Sequence, residues 1–155
     1  MIKKINVPLI ITQILYLTLV KLGVTRIYYS YYSKSIEAVL SDETERYEIG
    51  NEVILFYETI VSFLAFFLSL ISIFILNHKK NIHWINFIIL FLLAIGLNIS
   101  GFLYSSIVSA TLNTFSSLFG EGFGTSNLIA GLLLFTIGVF ILLNQYQKLR
   151  NAKNY

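Results

Sequence analysis

Between Val53 and Leu76 the chain reads VILFYETIVSFLAFFLSLISIFIL, twenty-four residues with one charge, Glu58, and neither proline nor glycine. Wound as an α-helix at ~1.5 Å per residue it reaches ~36 Å, enough to cross a ~30 Å hydrocarbon core with some tilt. Buried helices of soluble domains rarely hold so long an apolar run, so a membrane span is predicted here. Ser62, Ala65, Ser69 and Ser72 fall at i, i+3, i+7 and i+10 and share one face of it. Lipid offers helices no hydrophobic reason to associate, so small side chains that admit close backbone approach must supply one. The span is expected to carry a packing face, and the rest of the chain to provide its partners.

The charges predict how many partners there are. Only 12% of the 155 residues are charged, against roughly 25% in an average soluble domain. Lys3, Lys4, Lys79, Lys80, Lys148, Arg150 and Lys153 lie at the N-terminus, in the connection after the long span, or in the C-terminal tail. The segment from Thr25 to Glu52 carries Arg26, Lys34 and Arg46 against Glu37, Asp42, Glu43, Glu45, Glu48 and Glu52, and the last connection holds only Glu121. Positively charged loops stay in the cytoplasm. Three basic segments alternating with two acidic ones predict both termini inside a bacterial inner membrane and four spans, at about residues 7–24, 53–76, 84–104 and 125–144. The expected fold is all-α: one transmembrane domain, a polytopic four-helix antiparallel bundle. The net charge of +3 reads as a topology signal and as contact with anionic lipid, so no nucleic-acid partner is expected.

In the first span Asn6 and Pro8 suit a helix start. Lys3 and Lys4 before an apolar stretch look like a signal peptide, but Lys21 interrupts that stretch and no small-x-small cleavage site follows, so a retained span is expected. Gln13 and Lys21 are its costly residues, since a lysine at mid-bilayer costs about 2.5–3.5 kcal/mol on insertion scales. Lys21 near the outer end of span one and Glu58 near the outer start of span two lie at similar depth and are expected to form a structural ion pair. Tyr28, Tyr29, Tyr31 and Tyr32 read as an outer interface belt. In the acidic segment Ile36, Val39 and Leu40 recur at helical spacing and Asp42 with Glu45 resembles a capping pair, which predicts a helical hairpin on the outer surface, with a bend at Gly50 and Asn51.

Trp84 and Tyr104 bracket span three, and Ala94, Asn98, Gly101 and Ser105 make a small and polar stripe along it. Asn98, like Gln13, is an intramembrane polar group expected to hydrogen-bond across helices. Past Tyr104 the helical pattern continues, with Ser105, Ser109, Asn113 and Ser116 on one face. Either the span extends to Phe119 or a second helix lies along the surface or re-enters. Gly120 to Gly124 is a flexible bend. Gly131 and Gly138, one heptad apart, give span four a face for close approach. Tyr146 and Tyr155 are expected to rest on the inner leaflet.

Little of this supports chemistry. The chain has no cysteine, which removes disulfides, thiolate metal sites and thiol nucleophiles. His78 and His83, five apart without a carboxylate beside them, are a poor ligand set. The zinc-protease, serine-elbow and phosphate-loop motifs are missing, so no enzyme activity, cofactor or metal is expected. Two functions survive. One is a non-enzymatic membrane partner (accessory subunit, sensor or immunity-type protein) acting on another membrane protein or on copies of itself. The other is a homo-oligomeric channel lined by Asn98, Ser105, Ser109 and Asn113. In its short loops and basic, isoleucine- and asparagine-rich composition the chain is similar to four-span bacteriocin-immunity and phage-defence membrane proteins, a likeness of character that no motif carries. It shares a long first outer loop with claudin-like proteins but lacks their cysteine pair.

Overall fold

The computed structural model describes residues 5–34 and 48–152. Among these there are five α-helices and no strand: α1 Val7–Tyr31, α2 Glu48–Lys79, α3 Ile85–Ile99, α4 Ser106–Ser117 and α5 Phe123–Ala152, with a 3₁₀ turn Phe102–Tyr104 between α3 and α4. Three segments are long and apolar enough to cross a membrane, Val7–Tyr31, Phe56–Lys79 and Phe123–Leu149, as a multi-pass membrane protein requires. The expected surface hairpin falls largely on residues 35–47, outside the described residues.

Helix α1 starts as its sequence predicts. The Asn6 side chain caps it by accepting from the Leu9 N–H at 3.1 Å, with proline in the first turn. The helix does not stop at Val24. Nothing from Thr25 to Tyr31 breaks a helix, so it continues to Tyr31 and takes Arg26 and the tyrosines with it. Nor does the expected bend form at Gly50 and Asn51, which lie inside α2.

Cross-helix hydrogen bonds give the directions. Asn86 accepts from the Asn6 N–H, and Asn98 from Lys21, so α1 and α3 are parallel. Gln13 donates to Asn77 and Thr25 to Glu58, so α2 is antiparallel to α1. Gln13 also donates to Tyr146 and Arg26 to Asn127, which makes α5 antiparallel too. Helix α1 is the central element, and its most extensive contact is with α5.

That contact is built on glycine. A Cβ placed on Gly131 would lie 2.7 Å from the Gly23 carbonyl oxygen, and one on Gly23 2.8 Å from the Gly131 oxygen and the Phe135 nitrogen. Backbone meets backbone there, and no larger residue fits without separating the helices. One heptad on, a Cβ on Gly138 would stand 3.1 Å from that of Leu19. Below this seam Leu17 and Val20 of α1, Phe66 and Leu70 of α2, and Leu90 and Ala94 of α3 belong to one buried apolar cluster.

Helix α3 is shorter than its sequence suggests. It ends at Ile99 because Gly101 takes the left-handed conformation (φ +67°), which admits no continuation of a right-handed helix. After the 3₁₀ turn Ser105 caps a separate helix by accepting from the Val108 N–H, so the second of the two alternatives for this segment holds: α4 is a helix of its own. Gly101 itself, expected in a packing face, has no atom near the position a Cβ would take. Its part is to turn the chain.

Candidate functional site

The chemistry of this molecule is concentrated in side chains that α1 turns inward at two levels. Near its entry end Gln13 is fully buried. Its Nε2 donates to Asn77 Oδ1 at 2.7 Å and to the Tyr146 hydroxyl at 2.9 Å, and that hydroxyl donates to the same Asn77 oxygen at 2.5 Å. One neutral triad thus ties α1, α2 and α5 together. Two members differ from their expected surroundings: Asn77, predicted in the connection, sits in the last turns of α2, and Tyr146, predicted on the leaflet surface, is buried in the core because α5 runs on as a helix beyond Asn144. Gln13 Oε1, Asn77 Nδ2 and, elsewhere, Ser62 Oγ have no hydrogen-bond partner among the described residues.

The second level lies ~12–20 Å further along α1 and is charged. Lys21 is buried and donates to Asn98 Oδ1 at 2.6 Å, while Asn98 Nδ2 is tied to the Ala94 carbonyl. Glu58, also buried, accepts from Thr25 Oγ1 at 3.4 Å. Arg26 is only 4% exposed. It donates from Nη1 to Asn127 Oδ1 at 2.9 Å, and its guanidinium carbon stands 5.8 Å from the centre of the Tyr29 ring. Among the described residues no carboxylate is paired with it. Ser116 Oγ reaches the same Asn127 oxygen at 3.4 Å, and Asn127 Nδ2 is anchored on the Phe123 carbonyl at the start of α5.

This level is hollow. A cleft of about 340 Å³ opens beside Arg26, lined also by Asn113, Ser116, Ser126, Asn127 and Glu121. A smaller cavity of about 80 Å³, also lined by Arg26, touches Lys21, Thr25, Tyr29 and Ser109. The arrangement can bind and orient a polar or anionic group. It presents no general acid and base facing one another across a pocket.

The remaining residues singled out in the sequence scatter. Ser62 is buried, whereas Ser69 and Ser72 return their hydroxyls to the carbonyls of Ala65 and Leu68 on their own helix, and Ser72 is exposed. Ser105 is a helix cap, while Ser109 and Asn113 lie exposed on α4 at the edges of the two cavities. Gly131 and Gly138 lie in the seam against α1. Three residues escaped sequence reasoning: Gly23, Arg26 and Asn127. A glycine near the outer end of span one was a signal for close approach. For Arg26 the signal was the unbroken helical propensity on both sides of it. Comparison with protein-family models, with curated proteins and with solved structures returns no match.

Proposed function

We propose that the chain crosses the bacterial inner membrane four times, both termini cytoplasmic, and works as a non-enzymatic partner protein that binds another membrane protein. Four crossings are supported by the alternating helix directions. Helix α3 covers only ~22 Å by itself, but Trp84, 66% exposed, precedes it and the Phe102–Tyr104 turn extends it, bringing the stretch close to the hydrocarbon thickness.

The observation that carries the partner reading is the apolar plug between the two polar levels. Leu17, Val20, Phe66, Leu70, Leu90 and Ala94 close the interior between Gln13 and Lys21, so the polar groups of one chain form no path through it. What such a bundle offers outward is an apolar surface, notably Phe56, Phe63, Phe67 and Phe74 along α2, together with whatever the acidic segment contributes. Purification in mild detergent followed by native mass measurement tests it: a stable second protein is expected in stoichiometric amount. A lone monomer from a native host would remove the reading.

The channel remains as a second reading, favoured by the exposed polar residues Ser109 and Asn113 of α4 beside the cavities. It needs several copies to enclose a path. Ion flux in proteoliposomes that changes with Asn98→Leu is its expected signature, and silent bilayers would exclude it.

A further inference from the structure

We propose that the cleft at the exit end of α1 is a binding site for a phosphate group, held by Arg26 and the first turn of α5. Three independent features converge on it. Arg26 has five N–H donors, of which Nη1 is engaged with the neutral Asn127, and a guanidinium taken out of water without a carboxylate calls for an anion. Its planar fork matches the edge of a tetrahedral oxyanion.

The second feature is the start of α5. Phe123, its first residue, lines the same cleft, and the first N–H groups of any α-helix lack intrahelical acceptors and carry the positive end of its dipole, whereas the Ser126 N–H is already taken by the Gly122 carbonyl. No acidic residue occupies this first turn. The third is the rest of the lining: Asn113 offers its side-chain amide at the edge of about 340 Å³, room for a phosphate with its esterified group rather than for a bare halide. Lys21 lines the smaller cavity that Arg26 also lines but interacts with the Glu58 carboxylate, so the positive charge of the site is that of Arg26.

One carboxylate stands at the rim. Glu121, exposed on the link between α4 and α5, repels an incoming phosphate and competes for the same donors. It becomes the sharpest probe of the site, because it lies in a turn and takes no part in the helix core.

The phosphate can come from solution or from a lipid headgroup, since the tyrosines at the exit end, such as Tyr31, 82% exposed, suit headgroup depth. The proposal holds whether the chain acts as a partner or as a pore. The test is calorimetric titration of the purified full-length protein with inorganic phosphate and, separately, with a short-chain phosphatidylglycerol. Saturable binding of either supports the site, and the probe that binds tells the source. Arg26→Lys is expected to weaken it about tenfold or more, and Glu121→Gln to strengthen it by roughly threefold or more. No saturable binding of either probe overturns the proposal. So does binding that Glu121→Gln leaves unchanged, a result that misfolding cannot mimic because the variant must first show the parent melting curve.

Discussion

The two ends of the bundle solve the problem of buried polarity in opposite ways. At the entry end three neutral side chains, Gln13, Asn77 and Tyr146, close on one another within 2.9 Å, with a cleft of about 250 Å³ beside Asn77 lined mostly by apolar and aromatic side chains. At the exit end three charged side chains, Lys21, Arg26 and Glu58, are just as deeply buried; Lys21 and Glu58 lie close enough for their charges to interact, whereas Arg26 donates to the neutral Asn127, and two cavities adjoin it. A neutral network tolerates burial at lower cost, even with Gln13 Oε1 and Asn77 Nδ2 left without a partner among the described residues. Arg26 keeps open space within reach, because a neutral acceptor does not offset full desolvation of a guanidinium. The first end ties three helices together through neutral groups, and the second leaves a buried cation beside open space.

The largest expected effect breaks the seam on which both ends depend. Gly131→Leu should cost about 3 kcal/mol or more, since the new side chain meets backbone that cannot yield. Loss of the folded fraction in a denaturant titration from mixed micelles measures it, and a variant as stable as the parent would refute the close α1–α5 approach. Next comes charge at the exit end. We expect Lys21→Glu to lower stability by roughly 2–3 kcal/mol, and Lys21→Glu combined with Glu58→Lys to restore part of that loss. A double variant no better than the single one would show that the two charges answer to their neutral neighbours and not to each other.

Smaller effects sharpen the contrast. Gln13→Leu should cost about 1–2 kcal/mol, because it strips the triad of its central donor. Arg26→Met should change stability by less than about 1 kcal/mol and in the stabilising direction, since it removes a buried cation without stranding a carboxylate. The pair of measurements is decisive: if Arg26→Met destabilises as much as Gln13→Leu, the exit end is a structural network like the entry end.

Much of this was legible in the residues. The long apolar runs, the cap at Asn6, the inward cost of Gln13 and Lys21 and the close-approach glycines Gly131 and Gly138 all follow from local chemistry. Helix ends were less legible. Tyrosine-rich and arginine-containing stretches such as Thr25 to Tyr31 have adequate helix propensity, so hydropathy marks where lipid ends and not where the helix ends. Asn77 and Tyr146 were misplaced for the same reason.

Hydropathy and residue size by themselves determined that this chain is helical, that three of its helices are apolar enough to cross a membrane, and that glycine admits one helix to another, because each property belongs to a segment and its immediate neighbours. Partner choice was decided only by the tertiary structure. Gln13 meets Asn77 and Tyr146, sixty-four and one hundred and thirty-three residues away, and Lys21 meets Asn98, seventy-seven away. A buried polar atom takes whichever partner the packing of helices brings within about 3 Å, and that distance is set by the whole bundle and by no single stretch of the chain.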